Sequence, residues 1–310
     1  MYRRARWPFR AAAACLLAAL AAGCSGTSTP PNNPASKHST DTASESGKSA
    51  PDSPGPGRRR ARSPFASLAS YLATRPGEVT AAVYDRTTGR TWIFHPGVRE
   101  DTASIVKVEI MGTALREAQV AGTTLPGTEL ALMTTMIENS DNDAATQLLA
   151  DDGGPPKVQA FDKSAGMTDT TVSTAAFIPG STTLPGWGLT TTTALDEVRL
   201  VSAFAFPNTL LNATDRNYGL GLMEHVDADQ AWGVSAGVEP GTTVALKNGW
   251  LPLDLTNYTN WQVDSIGWIH GNGRDYVLAV LSGGNPDEQT GIDTIDTISA
   301  KVYSELGPKG

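Results

Sequence analysis

The sequence predicts an α+β fold: an antiparallel five-stranded sheet flanked by helices, plus an all-helical lobe. Three observations carry this reading. β-rich runs occupy only the two ends of the region from residue 64 onward, whereas helical periodicity fills its middle. The order is helix, two strands, a helical block, three strands, helix, so no βαβ alternation calls for a parallel sheet. Tight-turn residues sit where antiparallel neighbours need them, notably Gly271-Asn272-Gly273 between two strand-like runs.

The elements follow in order. Phe65–Thr74 reads as a first helix. Val79–Tyr84 and Thr91–His95 are strand-like, and 85–90 joins them as a hairpin. Ala103–Ala121 then has helical spacing, with Ile105, Val108, Met111, Leu115 and Val120 toward one side. Glu129–Glu138 and Asn142–Leu149 are two further helices. Gly153-Gly154 stops the second and Pro155-Pro156 starts another. Thr193 caps a helix through Phe204, and Asn208 another through about Val226. Strands return at Thr243–Lys247, Trp261–His270 and Tyr276–Leu281, and Ile292–Leu306 closes the domain as a helix. A cleft between sheet and helical lobe is the expected place for a site.

The first 63 residues read differently. Arg3, Arg4, Arg6 and Arg10 precede an uncharged apolar run, Ala11–Ala22. That run is too short to span a bilayer and fits the core of an export signal. Cys24 follows directly on small residues, in the pattern of a bacterial lipobox. Residues 1–24 are therefore expected to be a lipoprotein signal with Cys24 as the lipidated residue; incidental placement of Cys24 after an ordinary signal is the alternative. Residues 25–63 are rich in Ser, Thr, Pro, Asn and Gly and are expected to be a disordered tether, with an r.m.s. reach of about 35 Å. Arg58, Arg59, Arg60 and Arg62 end it, either touching anionic lipid or simply solvated. The folded domain is 64–310, exported and held at the outer face of the cytoplasmic membrane.

Composition excludes several classes. The only cysteines are Cys15 and Cys24, so the domain has neither an internal disulfide nor a cysteine metal site. Residues 1–24 hold four of the 24 basic residues and none of the 32 acidic ones, which leaves the rest at −12. Such a surface does not favour nucleic acid. The four histidines, His38, His95, His225 and His270, form no H-x-H or H-E-x-x-H pair, so no metal site is expected. No cofactor is implied, and a monomer is expected. Gly233-Val234-Ser235-Ala236-Gly237 matches G-x-S-x-G. The polar residues before it and Glu239-Pro240-Gly241 after it deny it the strand and helix a nucleophile elbow needs.

Three short elements carry the chemistry. Ser104-Ile105-Val106-Lys107 is the only S-x-x-K in the chain, and it opens a helix. Positions i and i+3 share a helix face, so a lysine of lowered pKa can take the serine proton. Ser140-Asp141-Asn142 lies between two helices. Its hydroxyl can pass a proton to a leaving nitrogen and its Asn can hold an amide; plain N-capping is the structural alternative. Lys247-Asn248-Gly249 sits at a strand end. The lysine can bind a carboxylate and Gly249 allows close backbone approach, unless the triplet is only a strand-ending turn.

In this order the three elements resemble those of class A β-lactamases and related penicillin-binding serine hydrolases. The resemblance spans about 65–310. Ile178-Pro179-Gly180 and Thr190–Thr193 look like parts of that family's Ω-loop, and Leu210–Met223 like its late helix. It implies a β-lactamase/transpeptidase-like fold and acyl transfer. Ser104 would attack a β-lactam or a D-Ala-D-Ala-like carbonyl of a peptidoglycan stem peptide, with Lys107 and Ser140 handling protons. Asn142 would orient the substrate amide, and Lys247 and Asn248 would hold its carboxylate. The N–H groups of Ser104 and Trp250 would form the oxyanion hole.

Three departures qualify the implication. Asn248 replaces the usual Thr or Ser. The stretch between Lys107 and Ser140 is short, which predicts a more open rim. No Asp or Glu occurs from Thr170 to Leu195, where the family carries its deacylating glutamate, and neither Asp162 nor Asp169 occupies that place. An acyl-enzyme that forms but turns over slowly is therefore expected. A non-turnover penicillin-binding or sensor lipoprotein, and an esterase or peptidase on another substrate, remain open. Trp187, Trp232 and Trp250 either shape the pocket or pack the core.

Overall fold

The computed structural model describes residues 62–308. The export signal, Cys24 and nearly all of the tether lie outside the described residues. A 3₁₀ turn, Pro64–Ser67, and a short helix α1 (Ala69–Leu72) open the domain. The single helix expected over Phe65–Thr74 is thus broken in two. Strands β1 (Glu78–Asp85) and β2 (Arg90–Phe94) form the hairpin. Then come β3 (Glu100–Asp101), a 3₁₀ turn Ala103–Val106, and helices α2 (Lys107–Ala121), α3 (Gly127–Glu138), α4 (Asn142–Asp151) and α5 (Pro155–Ser164). A long loop carries a second 3₁₀ turn, Gly186–Leu189, before β4 (Thr191–Thr192), α6 (Ala194–Ala205) and α7 (Ala213–Met223). Strands β5 (Thr243–Asp254), β6 (Thr259–Gly271) and β7 (Arg274–Asn285) precede α8 (Glu288–Glu305).

The main sheet has the order β2-β1-β7-β6-β5, antiparallel throughout, so strands from both ends of the domain meet at β1 and β7. Its side chains alternate cleanly, as period-two geometry requires. Ala82, Ala245, Ile266, Val277, Ala279 and Leu281 join the core of the helical lobe. Val79, Ala81, Val83, Leu278 and Val280 point the other way, onto Phe65, Leu68 and the apolar face of α8 (Ile295, Ile298, Val302).

Local chemistry sets the helix limits. Asp141, Thr193, Asn212 and Asp287 each cap a helix by accepting a backbone N–H three residues on. Gly122 ends α2 in the left-handed region. Asn208 does not start a helix: its Oδ1 accepts from Leu210 N and Leu211 N, and its Nδ2 donates to Ala203 O and Phe206 O, closing the turn after α6. The helix starts four residues later than expected. β5 also runs through Lys247-Asn248-Gly249 rather than ending there, because β6 continues the pairing out to Asp254↔Thr259. β3 and β4, not anticipated, form a two-stranded pair that ties the entry of Ser104 to the start of α6. Among the described residues no helix is long and apolar enough to cross a membrane.

Candidate active site

Four of the expected residues converge on one chain of contacts. Ser104 lies in the 3₁₀ turn and Lys107 is the first residue of α2. Lys107 Nζ stands 3.0 Å from Ser104 Oγ, 3.0 Å from Ser140 Oγ, 2.7 Å from Ser140 O and 2.8 Å from Asn142 Oδ1. On the far side of Ser140, Lys247 Nζ donates to Ser140 Oγ at 3.0 Å and to Asn248 O at 2.9 Å. Serine, lysine, serine, lysine therefore alternate, each 3.0 Å from the next.

Both lysines are fully buried. Burial, and then the facing charge of Lys247, holds the Lys107 amine well below the usual lysine range. Burial pushes Lys247 down to about 7. Four oxygens surround Lys107 Nζ. As a neutral amine it can donate to Ser140 O and Asn142 Oδ1 and receive the Ser104 hydroxyl on its lone pair, with the Ser140 hydroxyl alongside. That is the arrangement a general base requires before attack.

The backbone presents these groups under strain. Ala103, directly before the nucleophile, has φ +44°, and Ser140 has φ +56°. Each left-handed non-glycine residue costs about 1–3 kcal/mol and persists only where its surroundings over-determine it. The Thr102 N–H to Thr190 O bond and the β3–β4 pair pin the first residue's turn. The caps of α4 and α3 flank the second. Gly249 must be glycine: a Cβ there would lie 2.8 Å from Ser104 N and 2.7 Å from Thr102 O. β5 thereby comes close enough for its backbone to face the nucleophile.

Asn248 departs from its expected role. It is buried, and its Nδ2 donates to Gln230 O at 2.7 Å and Trp232 O at 3.1 Å. Both amide hydrogens are spent on holding the 228–235 loop against β5, so the side chain does not reach toward a substrate carboxylate; Lys247 is left as the cation for that task. The Trp250 side chain packs against Trp232, with ring centroids 6.1 Å apart, on the α8 side of the sheet. Only its backbone belongs to the site strand.

Of the three tryptophans that sequence reasoning left between shaping the pocket and packing the core, Trp187 is a neighbour of Lys107. The Trp187 ring centroid lies 5.0 Å from Lys107 Nζ, and its Nε1 donates to Thr146 Oγ1 at 3.1 Å. The signal available was only the Gly186-Trp187-Gly188 triplet, in which small neighbours let a large ring approach. Gly188 indeed lies against Ala103.

The G-x-S-x-G elbow fails in the structure too. Ser235 sits in a 3₁₀ turn and its Oγ donates to Ala231 O. His270 stacks on Trp268 instead of meeting it. Among the described residues no group of three or more His, Cys, Asp or Glu could hold a metal ion.

The comparisons with known proteins agree with this geometry. No curated protein matches the chain. Solved structures do. A class A β-lactamase from Bacteroides cellulosilyticus is 18% identical, with 79% of this chain and 99% of that one covered and a TM-score of 0.68. A class A β-lactamase from Mycobacterium abscessus is 21% identical over 79% and 100%, with a TM-score of 0.66. A structure described as PBP-A is 18% identical over 78% and 94%, with a TM-score of 0.65. At these identities the likeness is one of fold. A sequence model described as the Beta-lactamase enzyme family matches residues 121–306, more than half of the chain, and takes in Ser140, Asn142 and Lys247. The chain thus belongs to the β-lactamase enzyme family and has the fold of a class A β-lactamase-like serine hydrolase.

Proposed function

We propose that the protein opens β-lactams or cleaves D-Ala-D-Ala-like amides through an acyl-enzyme on Ser104, and that this acyl-enzyme is slow to hydrolyse. The observation that carries the reading is the buried amine of Lys107 at 3.0 Å from both Ser104 Oγ and Ser140 Oγ. Ser104 Oγ attacks the carbonyl carbon while its proton passes to Lys107. Ser140 relays that proton to the leaving nitrogen as the C–N bond breaks. Lys247 attracts the substrate carboxylate, Asn142 orients the amide, and the N–H groups of Ser104 and Trp250 polarise the carbonyl.

A second reading, a penicillin-binding or sensor protein without turnover, is favoured by one observation: the loop from 170 to 195 contains no carboxylate. Intact-protein mass spectrometry during incubation with benzylpenicillin, with free drug assayed in parallel, separates the two. A lasting adduct on Ser104 with drug spared supports binding without turnover. An adduct that forms and decays while drug is slowly consumed supports the hydrolase. Ser104→Ala should abolish labelling in both cases, and persistent labelling of that variant would falsify the site. The protein is further proposed to be a monomer held by lipid on Cys24 at the outer face of the cytoplasmic membrane. Cys24→Ala should then move it from the membrane to the soluble fraction.

A further inference from the structure

We infer that Trp187 sets the lifetime of the acyl-enzyme, by closing the face of Lys107 from which a hydrolytic water would be activated. The inference rests on the acyl-transfer reading above and deepens it. Four contacts surround Lys107 Nζ, from Ser104 Oγ, Ser140 Oγ, Ser140 O and Asn142 Oδ1; the fifth neighbour is the Trp187 ring. All four oxygens belong to the acylation machinery. The ring is an aromatic wall beside them, and the lysine is wholly buried.

The ring is held there, not resting by chance. Trp187 is only 6% exposed. Its Nε1 donates to Thr146 Oγ1, and Thr146 in turn donates to Asn142 O at 2.8 Å. The indole is thus fastened to the same turn of α4 that supplies Asn142. On its other side, Gly186 packs so tightly on Ala175 that a Cβ would clash with the Ala175 carbonyl oxygen. Gly188 abuts Ala103, next to the nucleophile. The loop is closed over Lys107 by backbone fit on both flanks of the tryptophan.

The chemistry of the second half-reaction shows what the ring would block. Hydrolysis needs a water oxygen to bond to the acyl carbon while the ester bond to Ser104 Oγ breaks. One water proton must pass to a base and then to Ser104 Oγ, restoring the serine and releasing a carboxylic acid. The available base is Lys107, because no Asp or Glu lies between Thr170 and Leu195. In the acyl-enzyme Ser104 Oγ is an ester oxygen and no longer donates, so the lone pair it engaged is where a water must give its proton. The Trp187 ring, its centroid 5.0 Å from Nζ, walls the space beside that lone pair and offers a water no hydrogen bond of useful strength. Trp187 is a positioning residue in this sense: it touches the base and decides what else can.

The test measures the two half-reactions separately in the full-length protein. Adduct formation on Ser104 with benzylpenicillin gives the acylation rate. After removal of free drug, decay of the adduct mass gives the deacylation rate. Trp187→Ala should speed adduct decay at least tenfold. Trp187→Phe, which restores an aromatic face, should return it to within about threefold of the parent. Should the alanine variant not fold, Thr146→Val, at an exposed position, releases the indole nitrogen and should speed decay by a smaller factor. General loosening of the site slows acylation but does not hasten hydrolysis, so faster decay is specific to the inference. A long-lived parent adduct with unchanged decay in Trp187→Ala and Thr146→Val overturns the role of Trp187 and leaves the acyl-transfer reading intact. Drug consumed rapidly with no adduct accumulating overturns the role of Trp187 and the slow deacylation but leaves acyl transfer standing; no adduct on parent Ser104 and no drug consumed overturns both.

Discussion

Helix α2 carries two buried ionisable groups two residues apart, and they live in opposite worlds. Lys107 faces the site, where its nitrogen meets four oxygens and an aromatic ring. Glu109 faces the lobe interior among Asp162 of α5 and Asp196 and Glu197 of α6, all fully buried. Asp196 is satisfied there, by Arg199 at 2.6 Å, Thr170 at 2.9 Å and the Asp169 N–H at 2.7 Å. The oxygens of Glu109, Asp162 and Glu197 accept no hydrogen bond. Carboxylates cannot bond one another, but a carboxyl can bond a carboxylate, so Glu109 and Glu197 can be joined only by sharing a proton. Burial, followed by mutual repulsion, accordingly raises Glu109 well above the usual range and Asp162 to about 8, and burial brings Glu197 to about 8. The contrast teaches where burial is used and where it is only endured. In one cluster it lowers an amine, as the proposed base requires; in the other it keeps acids neutral that serve no visible chemistry.

Removing the base should give the largest effect. Lys107→Ala is expected to slow acylation of Ser104 by about 10³-fold, within the range for loss of a positioned general base. Stopped-flow with a chromogenic cephalosporin measures it, and a loss under tenfold would move the base elsewhere. A pH profile of second-order acylation sharpens the same side of the comparison. Attack needs Lys107 neutral, so the rate falls as pH drops through its lowered pKa. Carboxylate capture needs Lys247 charged, so the rate also falls as pH rises through about 7. The expected profile is a bell whose alkaline limb lies near neutrality. Rates that keep climbing to pH 10 would exclude Lys247 as the carboxylate anchor.

The two clusters differ equally in how legible they were. Ser104, Lys107, Ser140 and Lys247 could be picked out because the three short elements set both residue type and chain order, and helix geometry sets the i, i+3 pair. The sheet was legible because β-rich runs sit at the two ends of the domain with turn residues between neighbours, Gly271-Asn272-Gly273 most clearly. Asn248 misled because a motif position says nothing about which way a side chain turns; the loop 228–235, which claims its amide, has no periodicity of its own. Trp187 could be named but not assigned to the site rather than the core, because the long loop between α5 and β4 sets its position through the tight contact of Gly186 with Ala175, a long-range effect. The acid cluster could not be seen at all. Glu109, Asp162 and Glu197 are far apart in sequence, and a charged residue in a helix is expected to face water.

The acid cluster makes its own prediction. An acid whose pKa is raised in the folded state holds its proton there after the unfolded chain has released it. The stability contributed by Glu109, Asp162 and Glu197 is thus full below about pH 4 and is lost as pH rises toward about 8. Lys247 acts oppositely, but only above about pH 7, where it begins to lose its proton in the fold. Lys107, also lowered by burial, opposes the acids wherever it titrates, so the acid contribution is read from the difference that Glu109→Gln makes between pH 5 and 7. Across that window Tm should fall by roughly 8 °C, and Glu109→Gln, which fixes a neutral amide in the cluster, should remove about half of that slope. A slope that Glu109→Gln leaves unchanged across this window, by differential scanning calorimetry, would show the cluster to be held by other means.

The smallest effect tests Asn248, which sits on the site strand yet serves the loop. Asn248→Ala deletes two hydrogen bonds and leaves the carbonyls of Gln230 and Trp232 buried against β5. Loss of such bonds costs about 1–2 kcal/mol, or a Tm lower by roughly 4 °C. Acylation should change less than fivefold, because Lys107 and Ser140 do not touch this side chain. Asn248→Thr should lose about as much stability as the alanine, since a hydroxyl offers one donor where two carbonyls wait. If the alanine variant instead keeps its Tm and loses acylation a hundredfold, the amide must turn toward the substrate when it binds, and the expectation read from the triplet was right after all about its role.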